Sequence, residues 1–387
     1  MVKIYQIISI LLLITLSFIP KQIDTRINYA IIGFAILSFP LFFKNVKEDI
    51  KRRNIATIFF ILFLIACSFS TIFSIDLDRS IPRLLLYYAY FIIFTSIRSI
   101  LPTHKSKELF TGCYLLVVVI LSFISLYHTL VLHYVNRASE GVSFMWVYYG
   151  HNHLSALLIF SLPMSLYFLK KYWHKKYAPV LLLTAFFLLF TLFLTFSRAS
   201  LISLISASVF SIFFFRFIPK QKIPLFFIIG SFGLLLSFIT PIAKQVGVTK
   251  PDVLSSARPV YWKTAIVNGL SHPITGTGLD TFRHLSYNTS SRVLKADYAH
   301  NFFLQILSDT GIFGFLSSIG LIGSVLWKSA RRVFEIRNLK LEIRNSPKAL
   351  LLAFWVGLLA STLNTMVDFD WQLPTVFLIF WLFAGLV

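Results

Sequence analysis

Charge is scarce in this chain of 387 residues. Only 13% are Asp, Glu, Lys or Arg, about half of what soluble domains carry. Acidic residues are the rarer sign, 15 against 36 Lys and Arg. Hydrophobic residues make up 57% and include 42 Phe, so there is too little polar surface to cover a soluble globule. The composition therefore reads as a polytopic membrane protein. Cysteine is nearly absent: Cys67 and Cys113 both fall in apolar runs, where they read as small core residues and not as a disulfide or metal pair. No small-x-small cleavage signal follows the first apolar run, which reads as a retained helix and not a signal peptide. Nor does any repeat relate residues 1–193 to 194–387, which speaks against a transporter built of paired halves.

What is present in quantity is apolar length. A bilayer core requires roughly 20 residues of helix. Runs of that kind occur near 4–20, 28–43, 55–73, 84–97, 108–130, 151–169, 178–196, 200–215, 223–242, 302–327, 349–366 and 372–387. The expected fold is all-α, a single membrane domain over 1–387 with about 12 transmembrane helices. One long extracytoplasmic loop, 243–300, joins helices 9 and 10. Only Ser197, Arg198 and Ala199 separate the runs 178–196 and 200–215, so a broken or re-entrant element competes with two full helices there. The basic excess of 21 would suit nucleic acid if it were clustered on a soluble face. With a cytoplasmic N-terminus, however, 23 of the 36 basic residues fall in inner segments, as the positive-inside rule requires. The partner of this charge is thus the lipid bilayer and no nucleic acid, and both termini are cytoplasmic. Ten of the 15 acidic residues lie outward, a split that topology rules do not demand.

The outward side carries the unusual residues. A loop as long as 243–300 is functional or disordered, and this one has local structure. Pro259 can open a short helix over 260–268 and Gly269 can end it, with Tyr261 and Trp262 suited to the headgroup level. In the turn that follows, Gly276 and Gly278 can bring backbone N–H groups to an anion. An ordinary turn is the better reading, and no strand–turn–helix surrounds it to make a nucleotide fingerprint. Arg198, at the outer mouth between two apolar runs, either snorkels to lipid phosphates or faces the bundle interior, as costly membrane charges usually do. In a helical segment, Asn301, Gln305 and Asp309 lie four apart on one face, with His300 at its edge. For Asn301 and Gln305, bonding to neighbouring helices and a functional role weigh equally. For His300 and Asp309 the expense of an ionisable group at the membrane favours function. Arg258 alone reads as a solvated loop cation, as do Arg283, Arg292 and Lys295. Asp368 and Asp370 read as a charged turn in preference to an acid–base pair.

Taken in order, these motifs resemble a known family. Thr195-Phe196-Ser197-Arg198-Ala199-Ser200, ending an apolar run, resembles the Ser-Arg-Gly/Ala pattern of the bacterial O-antigen ligase-like membrane family. Arg258 with Trp262, His272-Pro273, Gly276-Thr277-Gly278, His300-Asn301, Leu304-Gln305, Asp309, Gly311 and Gly314 follow in the same order as in that family. Gly150-His151-Asn152-His153-Leu154-Ser155-Ala156 is similar to the stretch opening its central region, although many relatives have a proline near His151. Asp309 stands where relatives often have Glu. The family-like core spans about 145–325.

That family comprises lipopolysaccharide O-antigen ligases, O-antigen or capsule-type repeat polymerases and protein O-oligosaccharyltransferases. The resemblance implies a multi-helix transferase of the bacterial inner membrane, acting on its outer face without nucleotide, metal or other cofactor. The implied donor is an undecaprenyl-diphosphate-linked glycan, and the acceptor a lipid A-core, glycan or protein hydroxyl. Ligation to lipid A-core is the first expectation, repeat-unit polymerisation the second, protein glycosylation the third, and polysaccharide transport the reading from a different class. Carried onto this chain, Arg198 and Arg258 are expected to bind the diphosphate and His300 to be catalytic. Asn301, Gln305, Asp309, Gly276 and Gly278 are expected to support them.

Overall fold

A computed structural model describes residues 2–17, 25–127, 151–195, 197–215, 258–287, 296–338 and 347–387. The helices are α1 (Val2–Ser17), α2 (Thr25–Lys51), α3 (Ile55–Ile72), α4 (Leu77–Ile100), α5 (His104–Tyr127), α6 (His151–Lys171) and α7 (Ala178–Leu194). They continue as α8 (Arg198–Phe215), α9 (Arg258–Ser271), α10 (Phe282–Tyr287), α11 (Phe302–Asn338), α12 (Pro347–Thr365) and α13 (Pro374–Leu386). A single 3₁₀ turn, Asp370–Gln372, joins the last two. No strand occurs among the described residues. Among the described residues, eight helices are long and apolar enough to cross a membrane, and Lys3–Leu12, Ala178–Leu194 and Pro374–Leu386 are shorter apolar helices. The chain is an all-helical, polytopic membrane protein. The expected span 223–242 and the loop residues 243–257 lie outside the described residues.

Helix boundaries differ from the hydropathy reading where polar chemistry takes over from apolar length. α4 starts at Leu77, not near 84, because Asp76 caps it by accepting the Arg79 N–H at 3.2 Å. α2 and α11 run on through Lys44, Lys47 and Lys51 and through Lys328, Arg331 and Arg337, residues that hydropathy assigns to loops but that form helix readily. α7 and α8 are two helices, each packed on α6. The described part of the loop 243–300 holds two helices where one was expected, and α9 continues through Gly269 to Ser271. Gly269 therefore serves packing and does not terminate the helix: a Cβ there would stand 2.8 Å from the Leu307 carbonyl oxygen on α11.

The core is organised around α13, an apolar helix buried on nearly every side, as an element enclosed by a bundle must be. Trp381 packs on Phe60 of α3 and Phe94 of α4, and Phe383 on Tyr114 of α5, Phe160 of α6 and Phe354 of α12. Large apolar side chains on the outer helices, such as Ile65, Leu183, Phe186 and Phe313, are exposed, and in a membrane protein their solvent is lipid.

α11 breaks at Gly311, where the backbone leaves the helical region with φ 70° and ψ −164°. A break at membrane depth requires new hydrogen-bond partners. Here Pro273, in the turn after α9, supplies one, its carbonyl accepting the Ile312 N–H at 2.8 Å. The turn after α9 is fastened to the same helix: the Thr277 N–H donates to the Ser308 carbonyl at 3.2 Å and the Gly278 N–H to that of Asp309 at 3.0 Å. Gly276, at φ +60°, would place a Cβ 2.2 Å from the Asp309 carbonyl. Gly276→Val is therefore expected to lose roughly 1–2 kcal/mol from the left-handed backbone alone and more from the overlap. Gly323→Ala, where a Cβ meets nothing within 4 Å, should be neutral or slightly stabilising. Thermal unfolding of the detergent-solubilised protein checks this, and equal midpoints for the two variants would contradict it.

Candidate active site

One end of the bundle gathers the starts of α4, α6, α8, α9, α11 and α13 with the end of α12. Arg258 opens α9. His300 lies two residues before α11 in the left-handed region, φ 53°, a conformation that costs roughly 1–2 kcal/mol outside glycine. Its neighbours hold it there. Asn301 accepts the Leu304 N–H at 3.1 Å and donates to the Met366 carbonyl at 2.7 Å, so it caps α11 and does not lie within it. Gln305 accepts the Ala299 N–H at 2.8 Å, and the Trp262 indole donates to the His300 carbonyl at 3.3 Å. The imidazole stacks on Tyr261 at 5.6 Å and meets Phe369 edge-on at 4.6 Å. Tyr261 and Trp262, expected at the headgroup level, thus brace His300.

Arg258 and His300 meet on a residue that hydropathy passed over. Asp368 is 0% exposed. Its Oδ2 accepts from Arg258 Nη2 at 3.0 Å, and its Oδ1 stands 3.6 Å from His300 Nδ1. That second distance is a close approach and not yet a hydrogen bond, and His300 Nδ1 is buried with no other partner. Asp370, 2% exposed, binds His153 Nδ1 at 2.7 Å through Oδ1. Its Oδ2 accepts from Asn364, whose own carbonyl accepts from Ser200 at 3.1 Å. The charged-turn reading of Asp368 and Asp370 is therefore corrected: both are buried, and each faces a histidine. Burial opposes ionisation of Asp368, but the facing His300 and the Arg258 charge outweigh it and hold its carboxyl below the usual range. Burial, then the neighbouring Asp368 charge, push Asp370 up to about 6.

Arg198 adjoins this network through its neighbours in the chain. Ser197, just before α8, and Ser200, in its first turn, bond each other at 3.1 Å through their hydroxyls, and Ser200 reaches Asn364. The Arg198 side chain itself is exposed and has no ion-pair partner among the described residues. Beneath the site, Gln305 donates to both oxygens of Asp309 at 3.0 and 3.1 Å, and Asp309 accepts the Asp280 N–H at 2.9 Å. Both are buried. Asp309, Gly276 and Gly278 fasten the loop after α9 to α11, while Asn301 and Gln305 fix the backbone around His300. Arg79 and Arg83, which the sequence reading gave no role, reach Asp280 at 3.3 and 3.5 Å, and Arg83 also donates to the Gln372 carbonyl at 3.1 Å. Arg83 thereby joins the loop to the turn that bears Asp370. No group of three or more His, Cys, Asp or Glu side chains among the described residues has the arrangement of a metal site.

Asp368, Asp370 and His153 are the site residues that sequence reasoning missed. A signal existed in the outward excess of acidic residues, but an acidic pair declares burial only once its partners are known. A search of the curated proteins found no match. Residues 183–319 match the family model for O-antigen ligase, a stretch that runs from α7 into α11 and includes Arg198, Arg258 and His300. Within an all-helical membrane protein, that stretch is similar to the O-antigen ligase family.

Proposed function

We propose that this protein is a glycosyltransferase of the bacterial inner membrane that moves a glycan from undecaprenyl diphosphate to a hydroxyl acceptor on the extracytoplasmic face. Ligation of polymer to lipid A-core is the leading form. The observation that carries the reading is the sharing of buried Asp368 between a guanidinium and an imidazole. A diphosphate leaving group calls for cations, and an acceptor hydroxyl calls for a base. One carboxylate sets both beside each other.

In this mechanism His300 takes the proton of the acceptor hydroxyl. The acceptor oxygen forms a bond to the anomeric carbon, the bond from that carbon to the phosphate oxygen breaks, and undecaprenyl diphosphate leaves with the electron pair. Backside attack inverts the anomeric centre. Asp368 orients the ring and stabilises the imidazolium that forms, as the carboxylate of a catalytic triad does. Arg258 and Arg198 grip the diphosphate with planar forks that each match two phosphate oxygens. Arg258, about a third exposed, is turned by Asp368, whereas Arg198 is ordered by the ligand. Tyr261, Trp262 and the outer loop cover the reacting groups and keep out water.

His300→Ala is expected to lower transfer by roughly 10²–10⁴-fold, the usual worth of a general base, with membrane insertion intact. Full transfer by that variant would remove His300 from the role. Arg198→Ala and Arg258→Ala should each lose roughly 1.5–3 kcal/mol of donor interaction, and Lys should restore only part because it lacks the fork. Unchanged steady-state transfer would clear either arginine of a part in donor binding. Asp368→Asn should depress kcat strongly while donor KM stays level or falls, since Arg258 keeps its charge; a rise in KM with unchanged kcat would show that Asp368 serves only to place Arg258. Glycan analysis of a deletion strain separates ligation from polymerisation, because unattached long polymer marks the first and single repeats the second.

A further inference from the structure

Phe369 stands between two imidazole rings. His300 meets it edge-on at 4.6 Å and His153 does so at 4.8 Å, with interplanar angles of 83° and 77°. The carboxylates flanking it in sequence, Asp368 and Asp370, each face one of those rings. A three-residue turn thus presents two carboxylate–imidazole pairs, and the proposed reaction uses only one as a base. In the second pair, His153 Nδ1 is bound to Asp370 at 2.7 Å. Its Nε2 makes no hydrogen bond among the described residues, and the side chain is 15% exposed.

The charges of the cluster say what the second ring is for. Above the value of about 6 to which Asp370 is pushed, Arg198 and Arg258 are balanced by Asp368 and Asp370, so with both imidazoles neutral the site carries no net charge. A glycan-linked diphosphate diester brings two negative charges toward two buried carboxylates, and a neutral cluster does not offset them. His153 is placed to supply the missing cation. A carboxylate at Nδ1 stabilises the imidazolium, and Nε2–H then becomes a donor to a phosphate oxygen. Asp370 is itself anchored through Asn364 and Ser200 to the first turn of α8, where Arg198 sits. Among the described residues, the charged or titratable groups around His153 are Asp370, with Asp368 and Arg258 acting on it, and, across Phe369, His300, with Arg198 at the start of α8. Of the helices packed on α6, α7 and α13 contain no charged residue, while α5 and α12 carry theirs, His104, Lys105, Lys107, Glu108 and Lys348, at the far end of the bundle, where Glu108 pairs with Lys171.

We propose that His153 is a diphosphate-binding residue of the donor site, engaged as the imidazolium held by Asp370. The proton is taken up with the donor and released when undecaprenyl diphosphate leaves. The inference rests on the transferase reading and adds a proton-linked third cation to it.

Binding of undecaprenyl diphosphate to the purified full-length protein, followed by tryptophan fluorescence at about pH 7 and about pH 9, both above the titration of Asp370, tests it without turnover. His153→Gln should weaken binding by about tenfold or more at the lower pH and much less at the higher. The ligand's own titration is common to both proteins and cancels in the ratio. His153→Arg, permanently charged, should bind at the lower pH as the wild type does and lose less affinity than the wild type as pH rises; it also serves where the Gln variant fails to fold. Equal binding by wild type and His153→Gln, or an equal loss at both pH values, overturns the inference. If that happens while Arg258→Ala still loses affinity, only the role of His153 falls. Absence of wild-type binding at either pH would defeat the transferase reading as well.

Discussion

A carboxylate withdrawn from water at the end of a membrane bundle remains ionised only where cations or donors face it, and removing one such partner leaves an uncompensated buried charge. Asp368 is in that position, and its partners are Arg258 from the start of α9 and His300 from the entry to α11. The electrostatic demand of one buried group thus brings together two segments that are 42 positions apart in sequence. It also gives the imidazole and the guanidinium a common reference point, a requirement of any transfer in which base and leaving-group cation act on the same substrate.

The remainder of this end of the bundle holds the arrangement in place. α11 breaks at Gly311 so that the loop after α9 can seat against it, with Pro273, Thr277 and Gly278 bonded to its backbone. Asp309 and Gln305 are buried below, fully engaged with each other and with loop N–H groups. A buried polar network of this kind is worth its desolvation only when every member is satisfied, and here the result is a rigid floor under His300. The left-handed backbone of His300 is tolerated because Trp262, Tyr261, Gln305 and Phe369 over-determine it, a form of local strain that concentrates at functional sites.

How much of this was legible from sequence depends on the distance over which each feature is decided. Apolar length is local, so the spans of the described helices were readable, while α4 and α11 outran their apolar runs because capping and helix propensity extend them. The cost of placing Arg198 and His300 beside apolar runs also shows in sequence, as charge where hydropathy forbids it. Asp368 and Asp370 were misjudged because an Asp-Phe-Asp turn looks solvated until His153, 217 positions away from Asp370, is seen to bind it. Gly269 looked like a helix stop, since close approach by Leu307 cannot be read from neighbours along the chain. Asp309 was singled out for its cost, and that cost is met by loop N–H groups and Gln305.

The most direct measurement of the central claim is an experimental structure of the full-length protein in a lipid nanodisc with undecaprenyl diphosphate bound. Asp368 should remain buried between Arg258 and His300, with the diphosphate within hydrogen-bond reach of Arg258 and on the same side of the bundle as the His300 ring. Phosphate density at the opposite end of the helices, or an Asp368 carboxylate turned to solvent and parted from both residues, would contradict the account.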